Sequence, residues 1–395
     1  MSFTPALDNS GFDNLMVRPI EWQAVSFALA LVLYALTGSP TPDHIGVTEI
    51  LTGALLLISV SVPVITSMPV PAALLVIYGF SVPLIVGVAS GHAGGAVVRD
   101  LIPFGFLLMP LLFRATPFLP WLVAGVGMAF SVRSLIPYKD TFQHPHLWLG
   151  QPPADLLYLA NSPEVLFTAL FLLGSGLLLV WNRRSLAGGL ALTLAAAFPM
   201  MAMAVMMQRA GIGCVILAGM VWAAIAFWVR PGRTLLTAAA VCCLLLPFIP
   251  LIEALLGTLV LKTELVGLNS RAQEWGRVIE LVSQSPWTLL FGLGWGLTFE
   301  NPAVGNIEVN YTHSLISAML LKTGLAGVGL MLLYLWILVK QSVPQLFRRP
   351  ILVLALLCPL GIGLLFYASY KSLGFGLILL LLANPVFYRK LEKNQ

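Results

Sequence analysis

Three basic side chains fall at the ends of apolar runs or helices: Arg209 at the end of a span, and Arg271 and His313 where a helix is set to begin. Guanidinium groups hold an anion through paired hydrogen bonds, and an imidazole exchanges a proton near neutral pH, so the set suits an anionic ligand and a proton transfer. Arg271 lies in Asn269-Ser270-Arg271-Ala272-Gln273-Glu274-Trp275. Ser270 followed by Gln273 reads as a capping box, which makes Arg271 the first residue of a helix. Its side chain and the free N–H groups of the first turn then converge on one small volume that favours an anion. The competing reading is an interface arginine that snorkels to lipid headgroups.

Trp275, Val278, Ile279 and Val282 repeat at helical spacing, so this helix is amphipathic and is expected to stop near Ser285, ahead of Pro286. Phe291-Gly292-Leu293-Gly294-Trp295-Gly296 follows, a turn whose glycines allow close approach of backbone to a ligand. Arg209 closes the apolar run Met200 to Met207 and is followed at once by Ala210-Gly211-Ile212-Gly213. A charge at the edge of hydrocarbon costs free energy and is a functional candidate; the alternative is a topology anchor. His313 precedes another apolar run, in Asn310-Tyr311-Thr312-His313-Ser314. In the first turn of a helix the dipole disfavours imidazolium and leaves the ring able to accept a proton. A capping or interfacial histidine is the alternative.

The elements that must carry these residues are membrane helices. Of the 395 residues 59% are hydrophobic and 9% charged, with mean hydropathy +0.94; soluble domains carry roughly 25% charged residues. About twelve apolar runs reach or approach the roughly 20 residues that a spanning helix needs. They lie near 22–38, 46–66, 70–90, 101–116, 118–136, 164–181, 186–208, 212–229, 234–256, 314–340, 351–368 and 373–388. The fourth and fifth are broken around Arg114, Pro117 and Pro120, which suits a kinked or re-entrant arrangement. Met1 to Pro19 is polar and is not expected to be a cleavable signal. The whole chain reads as a single membrane domain.

Arg183 and Arg184, Arg230 and Arg233, Arg348 and Arg349, and the tail Arg389, Lys390 and Lys393 fall in alternate loops or at the end. By the positive-inside rule these face the cytoplasm, as do both termini, and the net charge of +5 reflects this bias rather than nucleic-acid binding. The other side then holds Arg99, Lys139, Arg209, Lys262, Arg271, Arg277, Lys371 and all five histidines, His44, His92, His144, His146 and His313. It also holds two long loops, about 138–161 and 257–312, and loops of such length tend to be functional. The latter, between the ninth and tenth spans, is expected to be the catalytic loop. Cys214, Cys242, Cys243 and Cys358 fall within spans and read as packing residues.

Together these pieces resemble the O-antigen ligase and Wzy-type polymerase family of bacterial envelope glycan transferases. The likeness runs from about Met206 to Leu338 and follows one order. Arg209-Ala210-Gly211 ends a span, Ser270-Arg271 with Trp275 opens a loop helix, and Ser285-Pro286 leads to the glycine-rich turn. His313 and Gly324-Leu325-Ala326-Gly327 come last. Where the family has asparagine after the histidine, this chain has Ser314. The resemblance implies a GT-C-like, all-α polytopic enzyme of the bacterial inner membrane with its active site facing the periplasm. It implies a glycan donor on undecaprenyl diphosphate and inverting transfer with neither metal nor cofactor. Arg209 and Arg271 would hold the diphosphate and His313 would activate the acceptor hydroxyl. Arg277, Trp275 and Trp295 would be glycan contacts or structural. The implied acceptor is lipid A–core, as in a ligase; a polymerase joining lipid-linked glycans is the alternative, and a glycan transporter a lesser one.

Overall fold

The computed structural model describes residues 22–40, 46–61, 68–114, 116–138, 158–181, 185–246, 270–340, 342–346 and 350–383, with a few isolated positions between them. His44, Lys139, His144, His146, Arg183, Arg184, Lys262, Arg348, Arg349 and the basic tail lie outside these residues. The helices in chain order are α1 (Trp22–Thr37), α2 (Val47–Ile58), α3 (Val70–Ala89), α4 (Gly94–Leu107), α5 (Met109–Leu112), α6 (Leu119–Leu135), α7 (Pro163–Trp181) and α8 (Leu186–Val205). After these come α9 (Arg209–Val229), α10 (Pro231–Leu245), α11 (Arg271–Val282) and α12 (Pro286–Phe291). A hairpin of β1 (Phe299–Asn301) and β2 (Ile307–Val309) precedes α13 (Leu315–Val339), α14 (Pro350–Leu365) and α15 (Leu373–Leu382).

Five helices, α3, α7, α8, α9 and α13, are long and apolar enough to cross a membrane, and five shorter apolar helices of 10–17 residues accompany them among the described residues. The chain is a helical membrane protein, and among the described residues its β structure is a small antiparallel hairpin in register Phe299 to Val309. Its centre is α7, packed on α6, α8 and α14, with α15 enclosed beside it. Every residue of α15 is buried. By contrast α9 buries only Gly211, Ala218 and Ala226, and turns Ile216, Met220 and Phe227 outward. Small residues let a helix approach its neighbours closely, while the large apolar ones suit lipid.

The run expected near 101–116 divides: α4 begins at Gly94, ends at Leu107, and a separate turn follows at Met109–Leu112. Pro110 lacks an N–H and sits at the start of that turn, where a missing donor costs least.

One break in the bundle determines where the glycine-rich turn docks. Gly324 interrupts α13 with φ 65° and ψ −171°, leaving carbonyls without their helical partners. Buried carbonyls need other donors. Leu293 N–H donates to Leu321 O (2.9 Å), Gly294 N–H to Lys322 O (3.0 Å) and the Tyr78 hydroxyl to Thr323 O (2.7 Å). The glycine-rich turn therefore closes the gap in α13. Gly292, Gly294 and Gly296 all have positive φ, and a Cβ on Gly294 would lie 2.3 Å from the Gly87 nitrogen.

Trp295 completes this seam. Pro83 inside α3 has no N–H to give to Gly79 O one turn earlier, and the Trp295 indole N–H donates there instead at 2.7 Å. Trp295 is 3% exposed, and its carbonyl meets His92 Nδ1 at 2.9 Å. The expectation that these glycines bring backbone to a ligand is corrected: they bring it to α3 and α13.

Candidate active site

Each of the three basic residues singled out from sequence stands at a helix start; Arg209, expected to end the preceding span, instead opens the next helix. Arg209 is the first residue of α9 and Arg271 the first of α11; His313 lies one residue before Ser314, which caps α13 by accepting from Ser317 N–H at 3.1 Å. The residues leading into both arginine helices are unusual. Met207 and Ser270 each have φ 52°, a left-handed conformation that costs a residue other than glycine about 1–3 kcal/mol. Such strain persists where surrounding structure enforces it, and here it turns the chain just ahead of each arginine.

Ser270 in that conformation makes no side-chain cap, so the expected capping box with Gln273 is absent. A cap needs an extended backbone at the serine, and the left-handed turn removes it. The capping box stands instead at Ser285 and Thr288, each hydroxyl accepting from the other's N–H at 3.1 and 3.0 Å. Accordingly α11 stops at Val282, and Ser285 opens the next helix rather than closing this one.

The buried face of α11 is Glu274, Val278 and Val282. Of the expected stripe Trp275, Val278, Ile279 and Val282, Val278 and Val282 are buried, Trp275 is half-buried and Ile279 is 51% exposed, and the buried face is headed by a carboxylate. Glu274 is 1% exposed. Its Oε1 accepts the His313 backbone N–H at 2.7 Å, and its Oε2 meets His313 Nδ1 at 2.6 Å and the Asn301 amide at 2.9 Å. Burial alone would push this carboxyl up, but the hydrogen bonds from His313 and Asn301 outweigh it and hold Glu274 below its usual range. An ionised carboxylate only accepts, so Nδ1 carries a proton, and in the neutral imidazole Nε2 is the nitrogen with the lone pair. Asn301, fully buried, is the hairpin's contribution; it also donates to Tyr311 O at 3.2 Å.

Arg271 is one helical turn from Glu274, on the same face. Burial depresses its guanidinium pKa and the nearby charge of Arg209 adds to this, while Glu274 and Tyr367 act in the opposite sense. The two arginines are therefore neighbours in space although they are far apart in sequence. Arg271 Nη1 is buried with no hydrogen-bond partner among the described residues, and so is Nε2 of Gln208, the residue before Arg209. Buried donors left without acceptors are costly, which makes two of them at adjoining helix starts an arrangement complementary to an anionic or hydroxyl-rich ligand.

Three tyrosines border this group. Tyr367 interacts electrostatically with Arg271 and Tyr311, is pushed up to about 12 by burial, and accepts from Asn161 at 3.1 Å. Tyr311 is also raised by burial and packs edge to face on His313, ring centres 5.8 Å apart. Tyr158 couples to both. The hydroxyls of Tyr311 and Tyr367 stay protonated, and the three rings suit stacking against sugar faces.

The remaining sequence candidates separate from this cluster. Arg277 pairs with Glu280 at 2.8 Å on the exposed side of α11, Trp275 is half-buried, and Trp295 belongs to the seam with α3. Among the described residues no three His, Cys, Asp or Glu side chains gather as metal ligands. Glu274, Asn301, Tyr158, Tyr311 and Tyr367 were missed. For Glu274 a signal existed: it stands three residues after Arg271, at the spacing that shares a helix face. Comparison with protein-family models, with curated proteins and with solved structures finds no match.

Proposed function

We propose that this protein transfers a glycan from undecaprenyl diphosphate to an acceptor hydroxyl, with inversion and without a metal, as an O-antigen ligase does to lipid A–core. The observation that carries this reading is the histidine–carboxylate pair beside two helix-start arginines, one with a buried donor lacking an acceptor. In the proposed reaction His313 Nε2 takes the acceptor's hydroxyl proton, and that oxygen attacks the anomeric carbon from the face opposite the diphosphate. The old bond from anomeric carbon to phosphate oxygen breaks, and its electron pair stays on the diphosphate. Arg209 and Arg271 stabilise this departing charge in a partly buried setting, where fixed donors act more strongly than in water. Glu274 holds the imidazole in the useful tautomer and stabilises the imidazolium as it forms.

In this proposal the site end of the bundle faces the periplasm of a bacterial inner membrane. Roughly twelve spans place both termini in the cytoplasm, in a GT-C-like arrangement whose loop before α13 is the catalytic loop. The supporting pattern is the alternation of basic loops. The test is purified protein in nanodiscs with a lipid-linked glycan donor, lipid A–core acceptor, excess chelator and no ion gradient. New glycosidic product is expected. Absence of product, or product only after a divalent ion is restored, would overturn the reading.

A further inference from the structure

Tyr367 borders the site but has no part in the pairing of His313 with Glu274. It follows α14 in extended backbone and opens the short turn Ala368–Lys371. Two hydrogen bonds fix that segment. At one end the Tyr367 hydroxyl accepts from the Asn161 amide at 3.1 Å, which ties it to the turn ahead of α7. At the other the buried Tyr370 hydroxyl donates to Thr312 O at 3.2 Å, one residue before His313. The segment is strung between the start of the central helix and the residue that precedes the base.

The bond from Asn161 occupies a lone pair of the phenol oxygen and leaves the phenol's own hydrogen without an acceptor among the described residues. Arg271 interacts with Tyr367 electrostatically, and its Nη1 is a buried donor in the same condition. Two donors cannot satisfy one another, and a buried donor without an acceptor costs free energy. One acceptor-rich group would serve both. Tyr367 also faces Tyr158 and Tyr311, and the Tyr311 ring packs on His313. Its neighbours are thus the guanidinium on one side and the ring beside the base on the other.

From this placement we infer that Tyr367 is a catalytic hydrogen-bond donor to the leaving oxygen of the diphosphate, the atom bonded to the anomeric carbon. The inference rests on the transferase reading and deepens it by assigning a donor at the bond that breaks. The leaving oxygen is the diphosphate atom nearest the reacting carbon, so a donor between Arg271 and the neighbour of the base is placed to meet it. As the carbon–oxygen bond breaks, its electron pair passes to that oxygen and the hydrogen bond from the phenol strengthens. The proton stays on Tyr367, because a phenol is a far weaker acid than a phosphate. A neutral donor adds little to binding of the intact lipid-linked glycan and acts mainly in the transition state.

The experiment compares wild type with Tyr367→Phe and with a chain carrying a trifluorinated tyrosine at this position, which keeps the ring and makes the phenol more acidic. Transfer is read as kcat and donor KM across pH in nanodiscs, and binding of radiolabelled undecaprenyl diphosphate is read without acceptor. For Tyr367→Phe, kcat should fall about 10- to 100-fold while donor KM stays within about twofold. Affinity for undecaprenyl diphosphate, whose leaving oxygen carries its full charge, should fall about tenfold. The fluorinated protein should transfer near neutral pH and lose transfer on the alkaline side at a lower pH than wild type, because a phenolate donates no hydrogen bond. Ring packing alone would leave the alkaline limb in place. A folded Tyr367→Phe with kcat within about twofold of wild type overturns the assignment. So does an alkaline limb that ignores the fluorinated ring, or a loss confined to donor KM, which assigns the phenol to ground-state binding. Where Tyr367→Phe does not fold, the fluorinated protein decides alone. A wild type that makes no product overturns the transferase reading separately; equal binding of undecaprenyl diphosphate by wild type and Tyr367→Phe then overturns the role of the tyrosine, and weaker binding by the variant supports its contact with a diphosphate.

Discussion

Replacing Glu274 with glutamine changes one charge and almost no volume. The carboxylate accepts from the His313 backbone N–H, His313 Nδ1 and the Asn301 amide at 2.7, 2.6 and 2.9 Å, while only 1% of its surface is exposed. Glutamine offers these donors one oxygen and one NH2 group, so at least one buried donor is left facing another. That misfit costs about 1–3 kcal/mol of stability. In the transition state the imidazole becomes positive, and a charge-assisted hydrogen bond to the carboxylate contributes about 1.5–3 kcal/mol that an amide lacks. At about 1.36 kcal/mol per tenfold, kcat should fall by roughly 10- to 150-fold. Donor KM should change little, because Arg209 and Arg271 keep their charge and position. The assay is initial rate against donor concentration for folded Glu274→Gln in nanodiscs, with melting curves alongside. A folded variant with kcat within twofold of wild type would show that the pair does not support the base.

Melting against pH gives a second reading of the same carboxyl. Its pKa is held below the ordinary 4.5, so its stability contribution is full above that value and is lost as pH falls through the folded value. Wild type should lose melting temperature on the acid side more steeply than Glu274→Gln, and parallel curves would contradict the assignment. Arg209→Lys and Arg271→Lys should each lose most transfer, since an ammonium cannot reproduce a bidentate fork on phosphate; near-normal rates would reduce both to generic charge. Trp295→Phe should lower stability by about 1–3 kcal/mol, because Gly79 O loses the indole donor and Pro83 cannot replace it. An unchanged melting temperature would mean that the seam does not hold α3 against α13.

How much of this could be read in the chain divides along physical lines. Arg209 was legible because a charge beside an apolar run is expensive and so conspicuous, though it was read as a span end, and Arg271 because a helix start carries a local signature. Nothing local signals that these two helix starts meet, which is a matter of tertiary packing. The apolar stripe of α11 was legible as periodicity at Val278 and Val282, both buried, but not at its head, since a buried carboxylate carries no apolar signal. Ser270 and Ser285 show the limit of motif reading: both fit a cap, and only backbone conformation decides between them. The glycine-rich turn was recognised, but its purpose lay in a broken turn of α13 and a proline in α3. Those two causes lie downstream and upstream of the turn in sequence, beyond the reach of any window. Tyr158, Tyr311 and Tyr367 come from separate segments and carry no motif.

The central claim is a division of labour between an imidazole that acts on the acceptor and guanidinium groups that hold the donor. It is tested most directly by measuring lipid-linked donor binding and transfer rate for His313→Ala beside Arg271→Ala, in the same nanodiscs. The account predicts that His313→Ala binds donor as wild type does and transfers nothing measurable, whereas Arg271→Ala loses donor binding and transfer together. Substantial transfer by His313→Ala, or donor binding lost as fully as in Arg271→Ala, would contradict it.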